Sequence, residues 1–307
     1  MDFSRIYPGR SAEEIDQIQR QTFGLRFAYE PYTGFKLAPV NLPMVEITQA
    51  GYRTGGIPAP WPPAPGVVNV FVFGGSTTFG YGVAGPDTLS AALQSELERA
   101  FPHSQFQCYN FGCGYFFSTQ ERLRFEQLLT GNHVPKVAIF LDGLNDFFFD
   151  LGLPGYSEKV SRVFGSGAEY WTVRGRPAGA DPQGLVNGIL SRYRANARLI
   201  EAIARQWNVT PLLIGQPTPF LDFAPTPAIY PYGTGFAGHK LAVTHYGRFK
   251  SAGVNGEFGA SFVWCGDAFA DVRTIMYADS IHYSPEGNRT LARLIVERAR
   301  ERGLLKF

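Results

Sequence analysis

The spacing of apolar residues along this chain changes period again and again. Residues 67–73 (VVNVFVF) are a short run of β-branched and aromatic residues, the mark of a strand buried on both faces. The next apolar stretch, DTLSAALQSELERAF, spaces its hydrophobic residues by three and four and predicts a helix, with Asp87 and Thr88 as start signals. FQCYNFG predicts a second strand, and STQERLRFEQLLTG a second helix with Ser118 and Glu121 in capping-box relation. KVAIFLDG predicts a third strand, LVNGILSRYRANARLIEAIARQW a long amphipathic helix, and VTPLLIGQP a fourth strand. SPEGNRTLARLIVERARERG closes the series as a helix, with Ser284 as N-cap and Pro285 at the first helical position.

Strand and helix in alternation predict an α/β fold with a parallel sheet covered on both faces. The expected main domain runs over residues 67–307. Before it, residues 11–21 predict a short helix that starts with acidic residues, and MVEITQAGYR a strand and turn. Residues 24–66 are otherwise rich in Pro, Gly, Tyr and Phe, and proline breaks the helical hydrogen-bond ladder. Residues 1–66 are therefore expected to form an extended, aromatic-anchored arm packed on the main domain. Two Gly- and Pro-rich stretches, at about 150–184 and 216–262, interrupt the alternation, with a helix expected around 237–250. Both are too long for plain connections and predict a lid, a pocket wall or a binding loop.

Composition narrows the function classes. The chain has 307 residues, 45% of them hydrophobic, enough for a substantial core. A net charge of +2 points to no polyanion partner, so nucleic acid is not expected. Arg293, Arg298, Arg300 and Arg302 fall at helical spacing and read as a solvated face. Three cysteines (Cys108, Cys113 and Cys265) make neither a disulfide framework nor a metal motif. No apolar run approaches the ~20 residues needed to span a bilayer. The polar N-terminus is not a signal peptide, so the chain as written is expected in the cytoplasm, or outside it if a leader has been trimmed away.

The candidate chemistry lies at the strand ends. The first strand breaks into Gly74-Gly75-Ser76-Thr77-Thr78, the second into NFGCGYFFST, and the third into DGLND; DSIHYSPEG precedes the last helix. In a doubly wound sheet these breaks converge on one edge. Ser76 on its glycine turn suits a nucleophile, a helix cap or an anion nest. Asp279 three residues before His282 suits a carboxylate that holds an imidazole tautomer. Asn145 behind Gly143 suits an oxyanion donor. Gly112 and Gly114 would let backbone N–H groups approach an intermediate closely. Each alone has a plain alternative as a turn or a loop. Phe147, Phe148, Phe149, Tyr156, Tyr170 and Trp171 suggest an aromatic cleft, while His103, His133, His239 and His245 read as surface or structural, with pocket lining as the alternative for His239 and His245.

Together the four breaks resemble the SGNH, or GDSL-type, hydrolase superfamily, in the family's order. FGGSTTFG matches the nucleophile block, YNFGCGY the oxyanion-glycine block, Gly143-Leu144-Asn145-Asp146 the Gly-x-Asn-Asp block, and Asp279 with His282 the Asp-x-x-His block. Gly75 stands where the family commonly has Asp, and the Asn-to-Gly spacing of the second block is one residue short. That makes Gly114 the first choice as oxyanion donor and Gly112 its alternative. The resemblance implies a three-layer α/β/α sandwich with a mainly parallel, flavodoxin-like sheet. It implies a serine esterase acting on a short-chain acyl or carbohydrate ester, with Ser76 as nucleophile, His282 as base, Asp279 as its orienting acid, and no metal or organic cofactor. The implied partner is a small-molecule or glycan ester. Acyl transfer to a glycan and an inactive glycan-binding scaffold are the alternatives. A phosphate-binding module lacks the Gly-Lys-Ser/Thr of a P-loop, and Thr78 breaks the Gly-x-Ser-x-Gly of an α/β-hydrolase elbow.

Overall fold

In the computed structural model, which describes residues 3–56, 59–149 and 181–307, five strands hydrogen-bond in parallel into one sheet. They are β5 (Val68–Gly74), β6 (Phe106–Asn110), β7 (Val137–Asp142), β8 (Thr210–Gly215) and β9 (Phe262–Trp264), in the spatial order β6-β5-β7-β8-β9. The first strand of the sheet thus sits between the second and the third. The chain reverses its direction of winding between β5 and β7, and an open sheet leaves a crevice for ligands at the carboxyl ends of such a pair. Gly74 pairs with Leu141 there, placing the break after β5 beside the break after β7.

Period-two alternation divides the sheet into two faces. Phe71, Phe73, Tyr109, Phe111, Phe140 and Leu213 point to one side, against α4 (Ser118–Thr130), α6 (Pro182–Gln206) and α7 (Lys240–Val254). Val70, Val72, Ile139, Leu141, Leu212 and Val263 point to the other, against α3 (Leu89–Ala100) and α8 (Pro285–Glu301). One face is largely aromatic and the other aliphatic. Burying a side chain of this size is worth about 1.5–3 kcal/mol, so the two faces fix strand register firmly.

Thr88 caps α3, and Ser284 caps α8 with Pro285 following, as the sequence predicts. The capping box expected at Ser118 does not form. The N-cap of α4 is Phe117; the Ser118 hydroxyl donates to Asp146 Oδ1 at 2.6 Å, and Glu121 is buried. A buried carboxylate across the fold competes successfully for a hydroxyl that would otherwise cap its own helix. Helix α7 lies where a helix was expected around 237–250, whereas β9 was not anticipated, because three residues are too few to carry a periodicity. Of the stretch expected at 150–184, residues 150–180 lie outside the described residues, as do Tyr156, Tyr170 and Trp171.

The N-terminal residues are more structured than an extended arm. Helix α1 (Ala12–Phe23) opens with a complete capping box between Ser11 and Glu14. A hairpin follows, β1 (Phe27–Glu30) with β2 (Gly34–Leu37), and then the short pair β3 (Val40–Asn41) and β4 (Glu46–Ile47). Phe27, Phe35, Leu37, Val45 and Ile47 pack with Phe79, Cys113 and Phe116 of the main domain. Arg53 bridges antiparallel to Asn110, its N–H donating to the Asn110 carbonyl at 2.9 Å, so this segment covers the edge of β6.

Candidate active site

Ser76 opens α2 (Ser76–Phe79), a single turn that leaves the end of β5 through Gly75. The first N–H groups of a helix have no partner within it, so the Ser76 amide is a natural donor to an anion. The far end of this turn is held by Arg53. Its guanidinium is buried and donates to the carbonyls of Phe79 (2.8 Å), Gly80 (2.6 Å) and Val83 (2.6 Å), and it lies over the Phe79 ring. Burial lowers the Arg53 pKa to about 9. The Asn110 side chain adds a bond from Nδ2 to the Thr78 carbonyl at 2.9 Å, while its Oδ1 accepts from the Gly112 N–H at 2.9 Å.

That last bond separates the two candidate glycines. The Gly112 amide is engaged by Asn110, and Gly112 is not part of the cavity wall. Gly114 lines the cavity; a Cβ there would stand 2.6 Å from the Tyr81 hydroxyl, so no larger residue fits. Tyr115 follows at φ +70°, a left-handed conformation that is costly for a tyrosine and turns the chain sharply past the cavity.

After β7 the chain turns at Gly143, whose φ of +111° only glycine adopts readily, into α5 (Leu144–Phe148). Asn145 Nδ2 donates to the Phe116 carbonyl at 2.7 Å, which leaves its second N–H for a ligand. A Cβ on Gly75 would fall 2.4 Å from this nitrogen. A side chain at position 75 would therefore meet the Asn145 carboxamide.

Behind α5 lie the buried carboxyls of Glu121, Asp142 and Asp146. Asp146 accepts from Ser118, and Asn196 Nδ2 donates in turn to the Ser118 hydroxyl at 2.9 Å. Glu121 and Asp142 each keep a buried carboxyl oxygen without a hydrogen-bond partner and each perturbs the other, an arrangement that favours a proton shared between them. Burial raises both, Asp142 to about 7, and the neighbouring acids add to the effect on Glu121.

The Asp279–His282 pair sits in a loop, not in a helix. Asp279 Oδ1 accepts from the N–H groups of Ile281 and His282, each at 2.8 Å, and Oδ2 meets His282 Nδ1 at 2.6 Å. The Ala278 N–H closes the loop on the His282 carbonyl at 2.7 Å, between the bridged residues Tyr277 and Tyr283. Burial acts to raise the Asp279 pKa, but the His282 charge and these hydrogen bonds outweigh it and hold the carboxyl below its ordinary value. The edges of Phe23 and Tyr81 flank the imidazole, with ring centroids 5.7 and 5.4 Å away.

Ser76, Gly114, Asn145 and His282 line one cavity of about 310 Å3, and Asp279 stands behind His282. Residues from four separate breaks thus meet at the switch point of the sheet. Sequence reasoning missed the rest of the wall. Phe23, Leu25 and Phe27 come from the N-terminal segment, Tyr81 follows the nucleophile turn, and Ile281 lies inside the Asp-x-x-His block. It also missed Arg53, for which one arginine in a Pro/Gly-rich stretch gave no signal. Phe148, expected in an aromatic cleft, lines the cavity; so does His239, against its main reading as a surface or structural residue, and His245 does not.

The arrangement is that of an α/β protein with a Ser–His–Asp set and an anion cradle at a sheet switch point. The three layers, the sheet order and the order of the blocks are those implied by the resemblance to SGNH hydrolases. No protein-family model and no curated protein matches the chain. Among solved structures it is similar to the acetyl xylan esterase AlAXEase, 19% identical over 75% of this chain and 98% of that one, with a TM-score of 0.45. It is similar to the acetylxylan esterase Axe2 from Geobacillus stearothermophilus, 19% identical over 78% of this chain and 96% of that one, TM-score 0.45. TesA is 17% identical over 77% of this chain and 99% of that one, TM-score 0.46. Likeness at this level places no residue, and the functional reading rests on the site itself.

Proposed function

We propose that this chain is a serine esterase of the SGNH type that works through an acyl-enzyme. The observation that carries the reading is the single cavity shared by Ser76, Gly114, Asn145 and His282, with Asp279 fastened to His282 Nδ1. With Nδ1 bonded to the carboxylate, Nε2 is the nitrogen free to take a proton. The Ser76 hydroxyl gives its proton to Nε2 as its oxygen attacks the ester carbonyl. The resulting oxyanion is held by the N–H groups of Ser76 and Gly114 and by the second N–H of Asn145. His282 then returns the proton to the departing alcohol oxygen, and the C–O bond breaks. Water, deprotonated by the same imidazole, attacks the acyl-serine and releases the carboxylic acid. Asp279 keeps its charge throughout and stabilises the imidazolium.

The substrate class that suits this wall is a short-chain acyl or carbohydrate ester, since its surface is mostly aromatic with a few convergent polar groups. The test is turnover of p-nitrophenyl acetate together with labelling by a fluorophosphonate probe. Both are expected in the parent, and both are expected to vanish in Ser76→Ala with an unchanged circular dichroism spectrum. Undiminished turnover or labelling in that variant defeats the assignment.

A further inference from the structure

The chemistry above leaves His239 of the cavity without a task, as it does the hydroxyls of Tyr81 and Tyr115. His239 is 9% exposed, its Nδ1 is buried without a hydrogen-bond partner, and its ring packs 5.1 Å from that of Phe148. Burial, and then the nearby His282 charge, lowers its pKa to about 4, so the ring is neutral at neutral pH and offers one donor and one acceptor. Nδ1 is closed off from solvent, so a ligand hydroxyl in the cavity that His239 lines can reach the ring only through its other nitrogen, Nε2.

The surroundings of His239 say which part of a substrate it meets. On the side of the N-terminal segment the wall is apolar, with Phe23, Leu25 and Phe27. On the other side, His239 and Phe148 also line a second hollow of about 460 Å3, whose wall includes Lys240, Thr244 and His245. The two hollows share this pair as a common wall, one of them running from Ser76. Phe148 is 45% exposed, so an aromatic face stands open beside the imidazole.

We propose that His239 and Phe148 form the subsite for the alcohol part of the ester, and that this alcohol carries further hydroxyl groups. His239 hydrogen-bonds a hydroxyl next to the ester oxygen, Phe148 supports the carbon skeleton, and the acyl group lies toward Phe23 and Phe27. This rests on the esterase reading and names the leaving group that the reading leaves open. Sugars and glycerol share the required chemistry of neighbouring hydroxyls, and the test separates them.

The experiment compares three acetate esters: ethyl acetate, glycerol monoacetate and a monoacetylated methyl glucoside. In His239→Leu the ratio of kcat/KM for a hydroxylated ester to that for ethyl acetate is expected to fall by about tenfold, mainly through KM, and His239→Gln to recover part of it. A fall for the glucoside alone assigns a sugar, and a fall for the glycerol ester alone assigns glycerol. Unchanged ratios for both esters overturn the subsite. In parallel, calorimetry on Ser76→Ala with methyl glucoside and with glycerol reads the subsite without turnover, and adding His239→Leu is expected to weaken binding of the assigned alcohol. If neither alcohol binds more weakly, the subsite is wrong even where Ser76 is reactive. If the parent takes no fluorophosphonate label, the esterase reading fails while the binding data still judge the subsite.

Discussion

Gly75→Ala is the sharpest test of how the oxyanion cradle is set. The backbone there is extended (φ −80°, ψ −150°), which alanine adopts without strain, so the whole effect is steric. The new Cβ would stand 2.4 Å from Asn145 Nδ2 and 3.0 Å from the Phe116 carbonyl oxygen, against the 3.4 Å at which ordinary contact begins. Either Asn145 retreats by about 1 Å or the Ser76 turn does, and both movements displace an oxyanion donor. A misplacement of about 1 Å costs about 100-fold in rate, and outright loss of a donor roughly 100–1000-fold. The bond from Asn145 to Phe116 is worth only about 1 kcal/mol, so the fold should survive. The assay is kcat on p-nitrophenyl acetate for Gly75→Ala, Asn145→Ala and the double variant, with thermal melts beside it. The double variant is expected to come close to Asn145→Ala, because the severe contact disappears with the carboxamide and only the 3.0 Å approach to the Phe116 carbonyl remains. A Gly75→Ala rate within about threefold of the parent refutes the steric argument, as does a double variant whose losses multiply. Gly75→Asp, which puts a larger side chain at the same point, should be worse than Gly75→Ala.

Two further predictions concern the parts that support the site. Arg53→Met strips the carbonyls of Phe79, Gly80 and Val83 of a charged donor, and should cost about 2–4 kcal/mol in urea unfolding, with slower fluorophosphonate labelling of Ser76; unchanged unfolding with unchanged labelling contradicts the clamp. Glu121 and Asp142 keep protons to higher pH when folded than their ordinary values of 4.5 and 3.8, so the folded state binds more protons than the unfolded chain and stability falls as pH rises from those values toward 7. Glu121→Gln removes one titrating group of the pair and should flatten the melting temperature across that window; parallel profiles for parent and variant would rule out the shared proton.

Much of this fold was legible because long segments announce themselves. The strands at β5 and β7 and helices α3, α6 and α8 carry sustained periodicity and strong caps. The four site blocks were legible only together: each alone reads as a turn or a loop, and their order along the chain is what drew them into one site. The missed features are those whose cause lies far away in sequence. Ser118 turns from its own helix end to Asp146, 28 residues on, and Arg53 reaches 26 to 30 residues forward to the nucleophile turn. Neither leaves a local pattern. Phe23 and Phe27 likewise reach Ser76 only through tertiary packing, and in sequence they look like any aromatic in a short amphipathic segment.

The two halves of the site are fastened differently. The anion cradle is a single interlocked piece, in which Gly75, Phe116 and Asn145 constrain one another and Arg53 and Asn110 brace the turn. The Asp279–His282 pair is bonded within its own loop, which Tyr230 and Tyr232 tether through the Ser280 and Tyr277 carbonyls at 2.8 and 2.7 Å, and none of these bonds runs to Gly75, Asn145 or Arg53. Loss of His282 would therefore stop the proposed proton transfer and leave the amide donors and the aromatic hollow standing. A lineage built on this scaffold has a short route from enzyme to receptor: a descendant that loses His282 keeps a place for a polarised carbonyl and retires only the chemistry.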